Sequence, residues 1–167
     1  MPRDVHLRVI LPNNELPGDT RAQPGWLRVE VDGIPEREFH VLGRGSSTPT
    51  NPGAKSVFRT DGNTPTGDYS GTVESTAKRN KRSYGPSGAV RLKALAGDAL
   101  LAKFLGRDGL LIHGGDMGGR FGGYRATHGC LRLSNSDMQD LIQLISGAGE
   151  NAQAQMCEPV AVRISVR

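Results

Sequence analysis

Cys130, His113 and His128 are the residues of this sequence whose types and spacing can do chemistry together. A free thiol titrates at about 8.5, so it is mostly protonated at neutral pH and needs a neighbouring base or cation to become a good nucleophile. Both histidines lie within 17 residues of the cysteine. The sequence around it runs Thr127-His128-Gly129-Cys130-Leu131-Arg132. Gly129 carries no side chain, so backbone N–H groups there can approach a developing oxyanion. Arg132 adds a fixed positive charge two residues on, able to lower the thiol pKa or to grip a substrate carboxylate.

The two histidines divide by role. His128 is too close to Cys130 in the chain for easy in-line proton transfer. His113 ends the apolar run Leu110-Leu111-Ile112 and can reach the sulfur from a different strand, so His113 is expected to be the base and His128 an auxiliary. A zinc site built from His113, Asp116, His128 and Cys130 fits no common ligand spacing, so no metal is expected. The Gly-rich loop after His113 lacks the Lys-Ser/Thr of a phosphate cradle, and no cofactor is expected. A basic module that only binds wall polymer is the non-catalytic alternative, and it leaves the Cys–His arrangement unexplained. Two cysteines do not make a disulfide framework, and Cys157 is read as structural.

These residues need elements to position them. Residues 5–11 alternate as a strand, and residues 13–24 read as a loop. Leu27–Val31 alternates cleanly, Asp32-Gly33 turns the chain, and Glu38–Leu42 returns as a hairpin partner. Residues 43–71 are dense in turn formers and should hold short strands and long connections. Ala89–Leu92 and Pro159–Val166 are further strands. A short helix is expected over Asp98–Leu105, with Leu100, Leu101, Phe104 and Leu105 on one side. A stronger helix is expected over Ser136–Ile145. Met138, Leu141, Ile142 and Ile145 form its core stripe, Ser136 and Gln139 a capping box, and Gly147 the stop.

At 167 residues the chain fits one domain, expected over residues 1–167 with residues 1–26 as an extension. The 23 Gly and 10 Pro argue for a mostly β fold with a few helices. No apolar run reaches membrane-spanning length, so no membrane insertion is expected. Net charge is +4, a modest solubility charge. The one dense basic run, Lys78-Arg79-Asn80-Lys81-Arg82, reads as a solvated loop, with an acidic-ligand contact as the alternative. No nucleic-acid motif accompanies it, so no nucleic-acid partner is expected. The N-terminus has no apolar core of a secretory signal peptide.

Ile112-His113-Gly114, followed by Thr127-His128-Gly129-Cys130-Leu131-Arg132, resembles the signature of L,D-transpeptidases with the YkuD-type catalytic domain. Asn135 and Asp137 extend the match, and Thr64-Pro65-Thr66-Gly67 resembles an upstream family segment. The thirteen residues between His113 and Thr127, six of them glycine, are at the short end for the family. The resemblance implies an L,D-transpeptidase-like β-sandwich or barrel and acyl transfer on the tetrapeptide stems of peptidoglycan, in the periplasm or cell wall. It implies Cys130 as nucleophile, His113 as base oriented by the Gly114 carbonyl, and an oxyanion hole at Gly129 and Cys130 aided by His128. Arg132, Thr127, Tyr84 and Arg91 are the substrate-binding candidates. Cross-linking, exchange and L,D-carboxypeptidase activity are all compatible with that thioester chemistry. Two biological settings are expected: a housekeeping wall enzyme, or an antibacterial effector delivered by a contact-dependent system and paired with a periplasmic immunity protein.

Overall fold

A computed structural model describes residues 3–12, 23–45, 57–58, 62–147 and 161–167. Cys157 and the loop over residues 13–22 lie outside the described residues. The elements in chain order are β1 (Asp4–Ile10), β2 (Gly25–Val31), β3 (Ile34–Val41), β4 (Gly67–Glu74), α1 (Lys81–Tyr84), β5 (Ala89–Ala96), α2 (Asp98–Phe104), β6 (Leu111–His113), β7 (Leu131–Arg132), α3 (Asn135–Ser146) and β8 (Ala161–Val166).

The expected hairpin is β2–β3. Asp32 and Gly33 both have positive φ, 51° and 79°, as a two-residue turn matching the strand twist requires. Alternation buries Val5, Leu7 and Val9 of β1, Leu27 and Val29 of β2, and Val162, Ile164 and Val166 of β8 on one face. β1 is central: it pairs antiparallel with β2 and parallel with β8, so residues 4–10 are integral to the sheet. The eight strands form one sheet in the order β3-β2-β1-β8-β4-β5-β6-β7. Leu42, just after β3, bridges Arg132 of β7, with paired N–H···O bonds of 3.0 and 2.9 Å. That bridge nearly closes the sheet on itself.

The core is filled by α3. Met138, Leu141 and Ile145 are buried against the inward faces of the strands. The cap differs from expectation. Ser134, not Ser136, is the N-cap, and its Oγ accepts from the Asp137 N–H at 3.2 Å. Gly147 closes the helix in the left-handed conformation, as expected.

Other differences have local causes. β4 emerges from the Gly/Pro-rich region, and β5 runs on to Ala96. α1 forms inside the basic run, because Asn80 caps it by accepting from the Arg82 N–H. α2 buries Ala99 and Ala102, whereas Leu101, Phe104 and Leu105 face solvent. The helix start sits so close to β4 that a Cβ on Gly67 would lie 3.0 Å from Ala99 Cβ, a gap that only small side chains fit.

Ser134→Ala is expected to cost about 1 kcal/mol of stability, and Ser136→Ala less than about 0.5 kcal/mol, in urea denaturation.

Candidate active site

β6 and β7 are short, parallel and adjacent, with Ile112 opposite Leu131 and His113 opposite Arg132. This pairing carries His113 and Cys130 into one cleft of about 280 Å³. The rest of its wall comes from Arg82, Ser83 and Tyr84 at α1, the segment 125–128, and Arg132.

Three side chains pin the turn that presents Cys130, each on a successive carbonyl. Arg107 Nη2 donates to His128 O at 3.3 Å, Thr64 Oγ1 to Gly129 O at 2.6 Å, and Thr127 Oγ1 to Cys130 O at 2.8 Å. Thr127 Oγ1 also accepts the Gly129 N–H at 3.0 Å. That N–H, expected as an oxyanion donor, is thus engaged within the turn. Gly129 has φ +108°, and a Cβ there would lie 1.8 Å from Arg107 Nη2. Both conformation and space therefore require glycine.

Arg107 is buried, and its guanidinium also donates to the carbonyls of Val57, Gly62 and Asn63. It ties Val57, Gly62 and Asn63 to the cysteine turn. Arg107 was not among the expected site residues. It stands in Gly106-Arg107-Asp108-Gly109, which reads as a solvated surface turn, and charged residues are seldom buried.

His113 is fixed by the peptide that follows it. Nδ1 lies 2.6 Å from the Gly114 carbonyl, so Nδ1–H donates there and Nε2 keeps its lone pair. The N–H of that same peptide unit, on Gly115, donates to Asn135 Oδ1 at 2.8 Å. Asn135, the first residue of α3, therefore orients the carbonyl that orients the imidazole. Tyr84 covers the ring at a centroid distance of 4.9 Å, and the Arg79 guanidinium lies over Tyr84 in turn. Burial, reinforced by the Arg132 and Arg79 charges and opposed by the Gly114 and Ser83 carbonyls, pushes the His113 pKa down to about 4.

Cys130 Sγ accepts a hydrogen bond from the Leu111 N–H at 3.3 Å. Burial pushes its pKa above the ordinary value, against that bond and the Arg107, Arg132 and Arg79 charges. Burial thus favours the uncharged form of both groups that line the cleft. The Arg132 charge lowers the thiol pKa in the expected direction, but desolvation outweighs it.

The other expected site residues take varied places. Arg132 is buried and donates Nη2 to Ser83 O at 3.1 Å and Nη1 to Asp116 O at 3.4 Å. It fastens α1 and the 114–116 segment over the site. His128 is exposed on the cleft wall. Arg91 lies on β5, where Nε and Nη2 donate to the Glu74 carboxylate at 2.8 and 3.2 Å, and it is not among the cleft residues. Asp116 faces Arg82, with a 3.2 Å ion pair. Among the described residues no three His, Cys, Asp or Glu side chains converge as a ligand set. No described helix is long and apolar enough to cross a membrane.

A family model, the YkuD L,D-transpeptidase catalytic domain, matches residues 26–161. Among solved structures, the chain is similar to the helical cell shape determining protein Pgp2 from Campylobacter jejuni. Identity there is 17% and the TM-score 0.51, over 99% of this chain and 48% of that one. It is also similar to an L,D-transpeptidase from Xylanimonas cellulosilytica, at 17% identity and a TM-score of 0.50, over 100% of this chain and 62% of that one. At such identities the likeness is one of fold, and this chain spans only part of each structure's length. No curated protein matches the sequence.

Two outcomes follow from the geometry. His113 titrates near 4 when folded against 6.5 ordinarily, so the unfolded chain binds the extra proton first as pH falls. Stability is therefore lost through that window. Wild type is expected to lose about 2 kcal/mol more than His113→Gln between pH 7 and pH 4.5, in denaturant titrations. Arg107→Met leaves buried carbonyls unpaired and is expected to cost at least about 3 kcal/mol, against less than about 1 kcal/mol for Arg91→Met at its exposed ion pair.

Proposed function

The chain belongs to the YkuD family of L,D-transpeptidase catalytic domains, and from that premise we propose that it transfers acyl groups from peptidoglycan stem peptides through a thioester on Cys130. The observation that supports this most is the orientation of His113. Its Nδ1–H is held on the Gly114 carbonyl, and its Nε2 lone pair is kept neutral by burial, in the cleft that contains the thiol.

In the proposed reaction Cys130 Sγ attacks the carbonyl on the L-centre of the third stem residue, and His113 Nε2 takes the thiol proton as the C–S bond forms. A neutral thiol–imidazole pair suits this order, since charge separates only as the oxyanion develops. The Cys130 N–H, aided by His128, faces that oxyanion, while the Gly129 N–H keeps the turn rigid through Thr127. Collapse breaks the C–N bond, and the leaving D-alanine amine takes the proton back from His113. The thioester then passes its acyl group to an amine of a second stem, to a free D-amino acid or to water. These outcomes are cross-linking, exchange and L,D-carboxypeptidase activity. The site of action would be the periplasm or cell wall. The proposal concerns this chemistry, not its use against other cells or the presence of an immunity partner.

Tetrapeptide-stem fragments incubated with the protein are expected to lose D-alanine, exchange it or dimerise, as read by mass spectrometry, and Cys130→Ala is expected to leave them unchanged. Identical products from the two proteins would overturn the catalytic reading. Retention on wall polymer without any turnover would favour the non-catalytic binding module.

A further inference from the structure

Three guanidinium groups line the cleft, on Arg82, Arg125 and Arg132, and they are not equivalent. Arg132 is 5% exposed, and two of its nitrogens are spent on the Ser83 and Asp116 carbonyls. Its Nε is buried without a partner among the described residues. Arg82 is held by the Asp116 carboxylate. Arg125 is exposed, and among the described residues it has no ion pair, hydrogen bond or ring contact. It stands two residues before Thr127, whose hydroxyl fixes the Cys130 carbonyl. Its charge also lies close enough to Arg132 to depress that pKa, second only to burial. The Asp116 carboxylate pairs with Arg82 and, among the described residues, not with Arg125.

We propose that Arg125, and not Arg132, takes the free α-carboxylate at the C-terminus of the donor stem. This rests on the acyl-transfer reading above and names what that site selects. The leaving residue of the donor places its carboxylate three bonds from the scissile carbonyl carbon, so a carboxylate must lie close to Cys130 whenever attack occurs. An uncommitted guanidinium on the adjoining wall supplies a forked donor pair to that group. The other carboxylate of a diaminopimelate-type stem, on the third residue's side chain, has the same chemistry and is separated by experiment.

The test uses three synthetic stem peptides: one with both carboxylates free, one amidated at the C-terminus, and one amidated only on the third residue's side chain. Turnover is followed with wild type, Arg125→Gln and Arg125→Lys. Equilibrium binding is measured separately in the Cys130→Ala background with and without Arg125→Gln, and circular dichroism checks that each variant is folded. C-terminal amidation is expected to weaken both binding and kcat/KM by about tenfold or more, and Arg125→Gln to produce the same loss with the free acid but little further loss with the amide. Arg125→Lys should recover part of the preference, since it restores charge without the fork. Equal binding of acid and C-terminal amide, or a preference that survives Arg125→Gln, would overturn the assignment. So would a preference that follows side-chain amidation instead. Acid-selective binding that depends on Arg125, without turnover of any peptide by wild type, would uphold the carboxylate site and sink the acyl-transfer reading alone.

Discussion

The carbonyls of His128, Gly129 and Cys130 are each tied down by a different side chain, and the site depends on that constraint. Backbone carbonyls hidden from water must find donors. Here Arg107, Thr64 and Thr127 provide them from three separate parts of the chain. The turn is consequently held before any ligand arrives, the preorganisation that the proposed thiol chemistry calls for. Arg107 supplies the strongest anchor, a charge taken out of water whose guanidinium donates to four described carbonyls. Its charge lowers the Cys130 pKa, against the burial that raises it.

The same logic fixes His113. One peptide unit, between Gly114 and Gly115, accepts from the imidazole on one side and donates to Asn135 on the other. Asn135 in turn is held because α3 starts at the Ser134 cap and buries Met138, Leu141 and Ile145. The tautomer of His113 is thus tied through two hydrogen bonds to the packing of α3. Sheet closure contributes as well. The Leu42–Arg132 bridge positions the strand that follows Cys130, and the buried Arg132 side chain pulls α1 over the imidazole. The dry environment that results keeps both His113 and Cys130 neutral.

What was legible in the sequence was whatever is local and periodic. The hairpin at Asp32-Gly33, the strand ending at His113 and the stripe of α3 follow from turn chemistry and alternation. The His113–Cys130 pairing was legible because both residue types and a specific motif point to it. The orientation of α2 was not, since its small residues are buried against Gly67 and its large ones are not, the reverse of what an apolar stripe implies. The helix cap shifted by two residues because Ser134 and Ser136 both fit the pattern, and only the strand exit at Arg132 decides between them. Arg107 was invisible because nothing in a Gly-Arg-Asp-Gly turn reveals that the carbonyls around it come from segments 21 to 50 residues away.

Arginines make the general point, because sequence gives their charge and not its destination. Arg91 and Arg79 share the Glu74 carboxylate on the surface, Arg82 has Asp116, and Arg107 and Arg132 are consumed by backbone. Each of these commitments removes a cation from the set that can meet an anionic ligand. A motif argument gave that duty to Arg132, since it follows the nucleophile by two residues. Yet Arg132 lines the cleft with its two terminal nitrogens already bonded to the Ser83 and Asp116 carbonyls. A group that must exchange partners on each turnover has to be solvated between turnovers, and a group that must hold the fold cannot be. The two requirements set the buried Arg132, which holds α1, apart from the exposed Arg82 and Arg125, of which Arg82 faces the Asp116 carboxylate.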